Sequence, residues 1–123
     1  MLYKVRTPVV ESIYNEEENK VIYLNVAQQE FYSALGQNLL RKYEIIYNKK
    51  YEGELYFDIE NILNAKKKYI TKIKENGYLI GYTNFEIFVQ ADVDMQKVAY
   101  YCGLGQNNSI GMGLVTFITG RRA

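Results

Sequence analysis

The spacing of apolar residues changes period along this chain and predicts strands separated by two helices. Residues 2–10 are rich in β-branched and aromatic side chains and carry Pro8 near their end, the pattern of an edge or terminal strand. Glu16, Glu17, Glu18, Asn19 and Lys20 form a polar loop, and residues 21–24 add a short extended piece. Asn25 stands where an N-cap is expected, with Gln28 three positions on as its capping-box partner. From there Ala27, Phe31, Ala34, Leu35, Leu39, Tyr43 and Ile46 recur at steps of three, four and seven. Such spacing predicts a helix of about six turns with its apolar stripe against a sheet. Arg41 and Lys42, near its end, read as complements of the helix dipole.

Residues 54–62 alternate, with Leu55, Phe57 and Ile59 on one side and Tyr56, Asp58 and Glu60 on the other, as in a half-buried strand. After Asn64 and Ala65, residues 66–74 bring Tyr69, Ile70 and Ile73; Asn76-Gly77 then suits a tight turn into a strand over residues 78–91. Asp92 or Asp94 caps a short helix through Val98, Ala99 and Tyr101, ended by Gly103, and residues 112–119 form the last strand. The order β-α-β-β-α-β, with additional hairpin strands between the helices, is an α+β, ferredoxin-like plan over one domain, residues 1–123.

Composition narrows the chemistry. At 123 residues the chain supports one core. A net charge of +1 supplies no global pull toward nucleic acid, so any electrostatic footprint must be local. Cys102 has no second cysteine to pair with, no signal-like start is visible and no window reaches the length of a membrane span, which together predict a cytoplasmic setting without a membrane. The chain has no histidine, which removes the commonest general base and neutral metal ligand; no metal site and no cofactor are expected. Capping accounts for the paired Asp92 and Asp94.

The feature with the most specific chemistry is the loop Gly103, Leu104, Gly105, Gln106, Asn107, Asn108, Ser109, Ile110, Gly111, Met112, Gly113, which holds four of the nine glycines and runs into an apolar segment. No lysine follows any of these glycines, so it is no Walker loop. It lies after a helix and before a strand, the reverse of a dinucleotide fingerprint. Two uses fit this composition equally. The glycines cap the helix and turn the chain, or Gly103, Gly105, Gln106, Asn107, Asn108, Ser109, Gly111 and Gly113 present backbone amides and small polar groups to a phosphate.

A ferredoxin-like plan whose second helix ends in Gly-Leu-Gly, followed by five residues and Gly-Met-Gly before the last strand, resembles the repeat-associated mysterious protein (RAMP) superfamily of CRISPR systems. Within it, Thr7-Pro8-Val9-Val10 and the helix pattern Phe31-Tyr32, Leu35-Gly36, Asn38-Leu39 and Arg41-Lys42-Tyr43 are similar to the C-terminal half of the Cas-six family. The resemblance spans nearly the whole chain. It implies a metal-independent endoribonuclease that cuts precursor CRISPR RNA within its repeats. It also implies that the general base, usually a histidine, lies with a tyrosine or lysine in an N-terminal half. Met1-Leu2-Tyr3 opens inside a strand, so the chain reads as a truncated or separately expressed C-terminal domain, with no catalytic residue of its own. Family loops often carry a basic residue between the glycine pairs, whereas Gln106, Asn107, Asn108, Ser109 and Ile110 are uncharged.

From Asn61 through Lys74 there are five positive residues, Lys66, Lys67, Lys68, Lys72 and Lys74, and no negative one. With Tyr69 and Tyr78 close in sequence, these are materials for phosphate contact and base stacking. A lysine-rich edge strand also blocks unwanted sheet pairing. In the resembling family a hairpin in this place can touch the RNA stem, which favours the RNA role. The expected partners are CRISPR repeat RNA and either the missing N-terminal half or a second copy. Two alternatives remain: a structural RAMP subunit of a CRISPR effector complex, and a ferredoxin-like dimerisation or sensory module without an RNA role.

Overall fold

The computed structural model describes residues 1–60, 62–71 and 78–118. The predicted turn at Asn76-Gly77, together with Lys72 and Lys74, lies outside the described residues. In chain order the elements are β1 (Leu2–Val5), β2 (Ser12–Asn15), β3 (Lys20–Tyr23), α1 (Gln29–Tyr47), β4 (Tyr56–Glu60), β5 (Lys66–Thr71), β6 (Tyr78–Thr83), β7 (Glu86–Gln90), α2 (Val93–Cys102) and β8 (Val115–Ile118), with 3-10 turns at Ile62–Asn64 and Asn108–Ile110. A four-stranded antiparallel sheet runs in the order β4-β7-β1-β8, and two further antiparallel pairs, β2-β3 and β5-β6, project from it.

Helix α1 forms as its spacing requires: Phe31, Leu35, Leu39 and Tyr43, four residues apart, are all buried. Each such side chain contributes roughly 1.5–3 kcal/mol of transfer free energy. The expected exchange between Asn25 and Gln28 exists, but in the turn before the helix. The Asn25 N–H donates to Gln28 Oε1 at 2.6 Å, and the Ala27 N–H donates to Asn25 Oδ1 at 2.9 Å. The chain becomes helical only at Gln29, so the helix is shorter than the six turns expected. In α2, Asp92 accepts the Met95 N–H at 2.9 Å and Gly103 closes the helix, both as predicted.

Two expectations are corrected. Strand β1 is central, hydrogen-bonded to β7 on one side and β8 on the other, because Tyr3 and Val5 must face the helices at the middle of the core. Pro8 lies beyond its end and never meets the ladder. The strand expected over residues 78–91 is two strands, β6 and β7, broken where Asn84 takes a left-handed conformation (φ 65°).

That break belongs to a bent ribbon. β4 pairs with β7 and β5 pairs with β6, so one long hairpin crosses a joint. From the Glu60–Glu86 pair to the Lys66–Thr83 pair, one strand advances six positions and the other three. The 3-10 turn Ile62–Asn64 takes up the excess. Past the joint, Tyr82 turns toward α1, where its ring meets that of Phe31 edge-on at 6.3 Å.

Candidate nucleic-acid interface

Val9 and Val10, both buried, bring the two predicted contact regions to one backbone. Val9 pairs with Tyr82 of the hairpin, and Val10 accepts the Gln106 N–H at 2.8 Å. The loop then folds on itself. The Leu104 N–H donates to Gly113 O, the Gly113 N–H to Pro8 O, and the Ile110 and Met112 N–H groups to Asn107 O. Asn108 turns inward and donates through Nδ2 to Leu104 O at 3.0 Å and Met112 O at 2.8 Å. Gln106 is also half-buried, its amide exchanging hydrogen bonds with Ser12.

The loop residues singled out by sequence therefore divide. Gly103, Gly105 and Gly113 are buried, while Asn107, Ser109, Ile110 and Gly111 are exposed. A methyl group on Gly105 would stand 2.6 Å from Val10 O and 3.3 Å from Glu11 Oε1, so this glycine serves close packing inside the protein. Gly111 (φ 93°) has nothing within 4 Å of its missing Cβ and is glycine for its backbone conformation alone. At the exposed tip, the N–H groups of Asn107, Asn108 and Ser109 find no acceptor among the described residues.

Sequence reading assigned Lys42 to the helix dipole, and the structure overturns this. No basic residue lies in the last turn of α1, where the dipole acts. Lys42 instead reaches the glycine loop, its Nζ donating to Gly103 O at 3.0 Å, Gly105 O at 2.9 Å and Asn108 Oδ1 at 2.5 Å. Beside Gly105 lies Glu11, 1% exposed, its Oε1 unpaired and 3.3 Å from the position of the missing Cβ. Burial pushes the Glu11 carboxyl up to about 7 against the pull of Lys42 and Arg41. Burial likewise brings the Lys42 ammonium down to about 8, opposed by Cys102 and Glu11. A signal for Lys42 was present: it stands seven residues after Leu35 and next to Tyr43, a cation at the border of the buried stripe.

On the hairpin, Lys66, Lys67, Lys68, Tyr69 and Tyr78 are exposed. The Tyr69 and Tyr78 rings meet edge-on at 6.0 Å, and Lys67 Nζ lies 5.4 Å from the centre of the Tyr69 ring. Opposite Tyr82 and Gly81, Lys67 and Lys68 point to opposite faces of the two-stranded ribbon, so the charge covers both. No helix among the described residues is long and apolar enough to cross a membrane.

Comparison with known proteins agrees with this architecture. The family model described as "CRISPR associated protein Cas6, C-terminal" matches residues 1–117. The chain is 33% identical over 103 residues to "CRISPR-associated endoribonuclease Cas6 1" of Methanocaldococcus jannaschii, covering 84% of this chain and 39% of that protein. A solved structure described as "CRISPR associated protein Cas6" superposes with a TM-score of 0.81 at 30% identity, over 95% of this chain and 48% of its own. Another, described as "An RAMP protein binding different RNA substrates", has a TM-score of 0.80 at 16% identity, again over 95% of this chain and 48% of its own, and shares the fold. The chain thus spans about half of those structures and about two-fifths of the curated relative.

Proposed function

The chain belongs to the family of C-terminal Cas6 domains, and from that membership we propose that it is the RNA-holding part of a CRISPR repeat-processing endoribonuclease. The strand order β4-β7-β1-β8, with α1 between β3 and β4 and α2 between β7 and β8, supports reading it as a ferredoxin-like domain with β2-β3 and β5-β6 as additions. In the intact enzyme a ribose 2′-hydroxyl attacks the adjacent phosphodiester without metal, and this domain holds the repeat while groups outside it cleave.

One observation carries the reading. The tip of the glycine loop offers three neighbouring backbone amides, of Asn107, Asn108 and Ser109, that the described residues leave without an acceptor. Amides in a row suit phosphate oxygens, which carry no sequence information but fix the register of the strand. Lys66, Lys67 and Lys68 add mobile charge, and Tyr69 and Tyr78 add ring faces for unpaired bases.

Filter binding with CRISPR repeat RNA at two salt concentrations tests the proposal. Affinity that falls with salt supports it, because phosphate contacts release counterions. Absence of binding at low salt overturns it in favour of a module without an RNA role. Incubation of this chain alone with the same RNA in EDTA should give no specific cleavage on a denaturing gel. A single cut would place the catalytic groups within these residues.

A further inference from the structure

Residues 103–113 contain no lysine or arginine, yet the loop is charged from beneath. Lys42 reaches it from α1, more than sixty residues away in sequence, and donates to three of its oxygens. These bonds sort into a pattern. Gly103 O and Gly105 O flank the turn that leaves α2, while Asn108 Oδ1 belongs to the side chain that also holds Leu104 O and Met112 O. A single ammonium therefore holds the segment leaving α2 and the 3-10 turn, and through Asn108 the segment that returns toward β8. Its three protons are fully used, so none remains for an external oxygen.

We propose that Lys42 is the positioning residue of the glycine loop: its ammonium holds the Asn107–Ser109 amides in the arrangement that receives RNA, without touching RNA itself. This rests on the reading of the loop as an RNA contact. Hydrogen bonds from a charged donor are about twice as strong as neutral ones, and three on one atom leave the loop little freedom. Loss of the ammonium leaves Gly103 O, Gly105 O and Asn108 Oδ1 without their shared donor and frees the Asn108 amide to reorient. The charged and titratable groups around Lys42 are Cys102 and Glu11, which favour its charge, and Arg41, which opposes it.

The test compares the full chain with Lys42→Met, both in a Cys102→Ala background that removes the neighbouring thiol. Backbone amide spectra report the loop without RNA. Anisotropy with a labelled, repeat-length single-stranded RNA reports affinity per folded molecule across pH and salt. Lys42→Met should move the amide signals of residues 103–113 and weaken RNA binding about tenfold near neutral pH, with an unchanged salt slope. In the parent, loop signals and affinity should change together as pH rises through the Lys42 titration, which lies near 8 with the Cys102 thiol present and lower once that thiol is removed. The variant should lose the Lys42 step and keep only that of Glu11, whose carboxyl titrates near 7 or above beside Gly105. Unmoved loop signals with parental affinity overturn the proposal. A slope flattened by roughly 0.7 overturns it too, since Lys42 would then contact phosphate directly. Moved signals with parental affinity overturn instead the reading of the loop as an RNA contact. Should Lys42→Met fail to fold, the parent's pH titration decides alone: loop amides that ignore the titration of Lys42 Nζ overturn the proposal.

Discussion

Val9 and Tyr82 exchange two backbone hydrogen bonds, Val9 N–H to Tyr82 O at 2.8 Å and Tyr82 N–H to Val9 O at 3.0 Å, and so fasten the β5-β6 hairpin to the continuation of β1. The close approach depends on Gly81, where a Cβ would stand 2.8 Å from the Pro8 Cβ and 3.1 Å from Val9 O. Gly81→Ala should therefore destabilise the fold by about 1–3 kcal/mol through overpacking. Gly36 supplies the control. In the middle of α1, its added Cβ would make ordinary contact with Phe57 at 3.7 Å, so Gly36→Ala should stabilise by about 0.5–1 kcal/mol. Thermal melts of the two variants should move in opposite directions.

The glycine loop separates packing from recognition. Gly105→Ala drives a methyl into Val10 O and should cost well over 1 kcal/mol of stability, with RNA affinity of the surviving folded protein unchanged. Gly111→Ala meets no neighbour and should cost on the order of 1 kcal/mol for its positive φ. At this exposed position affinity should fall by more than the folded fraction does. Asn107→Lys should tighten binding and steepen its salt dependence. Anisotropy combined with melting curves decides each case, and parental affinity in both Gly111→Ala and Asn107→Lys would remove the loop from the interface.

For the hairpin, changing Lys66, Lys67 and Lys68 together to Ala should weaken binding across RNA sequences. The log-affinity against log-salt slope should flatten by roughly 0.7 for each lost single-strand contact. An unchanged slope would leave these lysines with only the task of keeping the β5 edge from pairing with other sheets.

Glu11 sets a pH dependence of stability with a defined sign. Its folded-state pKa of about 7 lies above the ordinary 4.5, because burial disfavours the carboxylate. The folded protein binds more protons than the unfolded chain between these values. The stabilisation is thus complete below pH 4.5 and is lost as pH rises through 7. Glu11→Gln should remove this slope. Denaturant titrations at pH 5 and 7.5 should show the variant gaining on wild type by roughly 2–2.5 kcal/mol over that interval.

The helices were legible from sequence because burial marks them directly. The stripe from Phe31 to Tyr43 repeats every fourth residue, and Asp92 and Gly103 bracket α2 with side-chain and backbone chemistry local to each end. Strand β2 carried no such mark: Ile13 and Tyr14 are adjacent and both exposed, so no apolar alternation distinguishes it from a loop. The centrality of β1 depends on partners more than eighty positions away, at Ile87 and Phe117, beyond the reach of local pattern. At the candidate site, glycine spacing located the loop but not its orientation. Gln106 and Asn108 look like outward polar groups in sequence, and only the hydrogen bonds to Ser12, Leu104 and Met112 turn them inward. Lys42 was misassigned for the same reason. Two of its three acceptors are backbone carbonyl oxygens, which every residue carries and no sequence distinguishes.

The joint at Ile62–Asn64 and Asn84 separates two lengths of one ribbon that answer to different demands. Below it, the spacing of Phe57, Ile59, Ile87 and Val89 is fixed by the core. Above it, Tyr82 and Gly81 are held against Val9 and Pro8, so the β5-β6 arm can be lengthened only beyond that pair, where neither register is disturbed. Adding two residues to each strand preserves which side chains share a face and extends the arm by about 7 Å. Adding one extends it by half as much and exchanges the faces. The reach of the lysine arm and the face it presents are thus adjustable in discrete steps, while the domain that carries it stays unchanged.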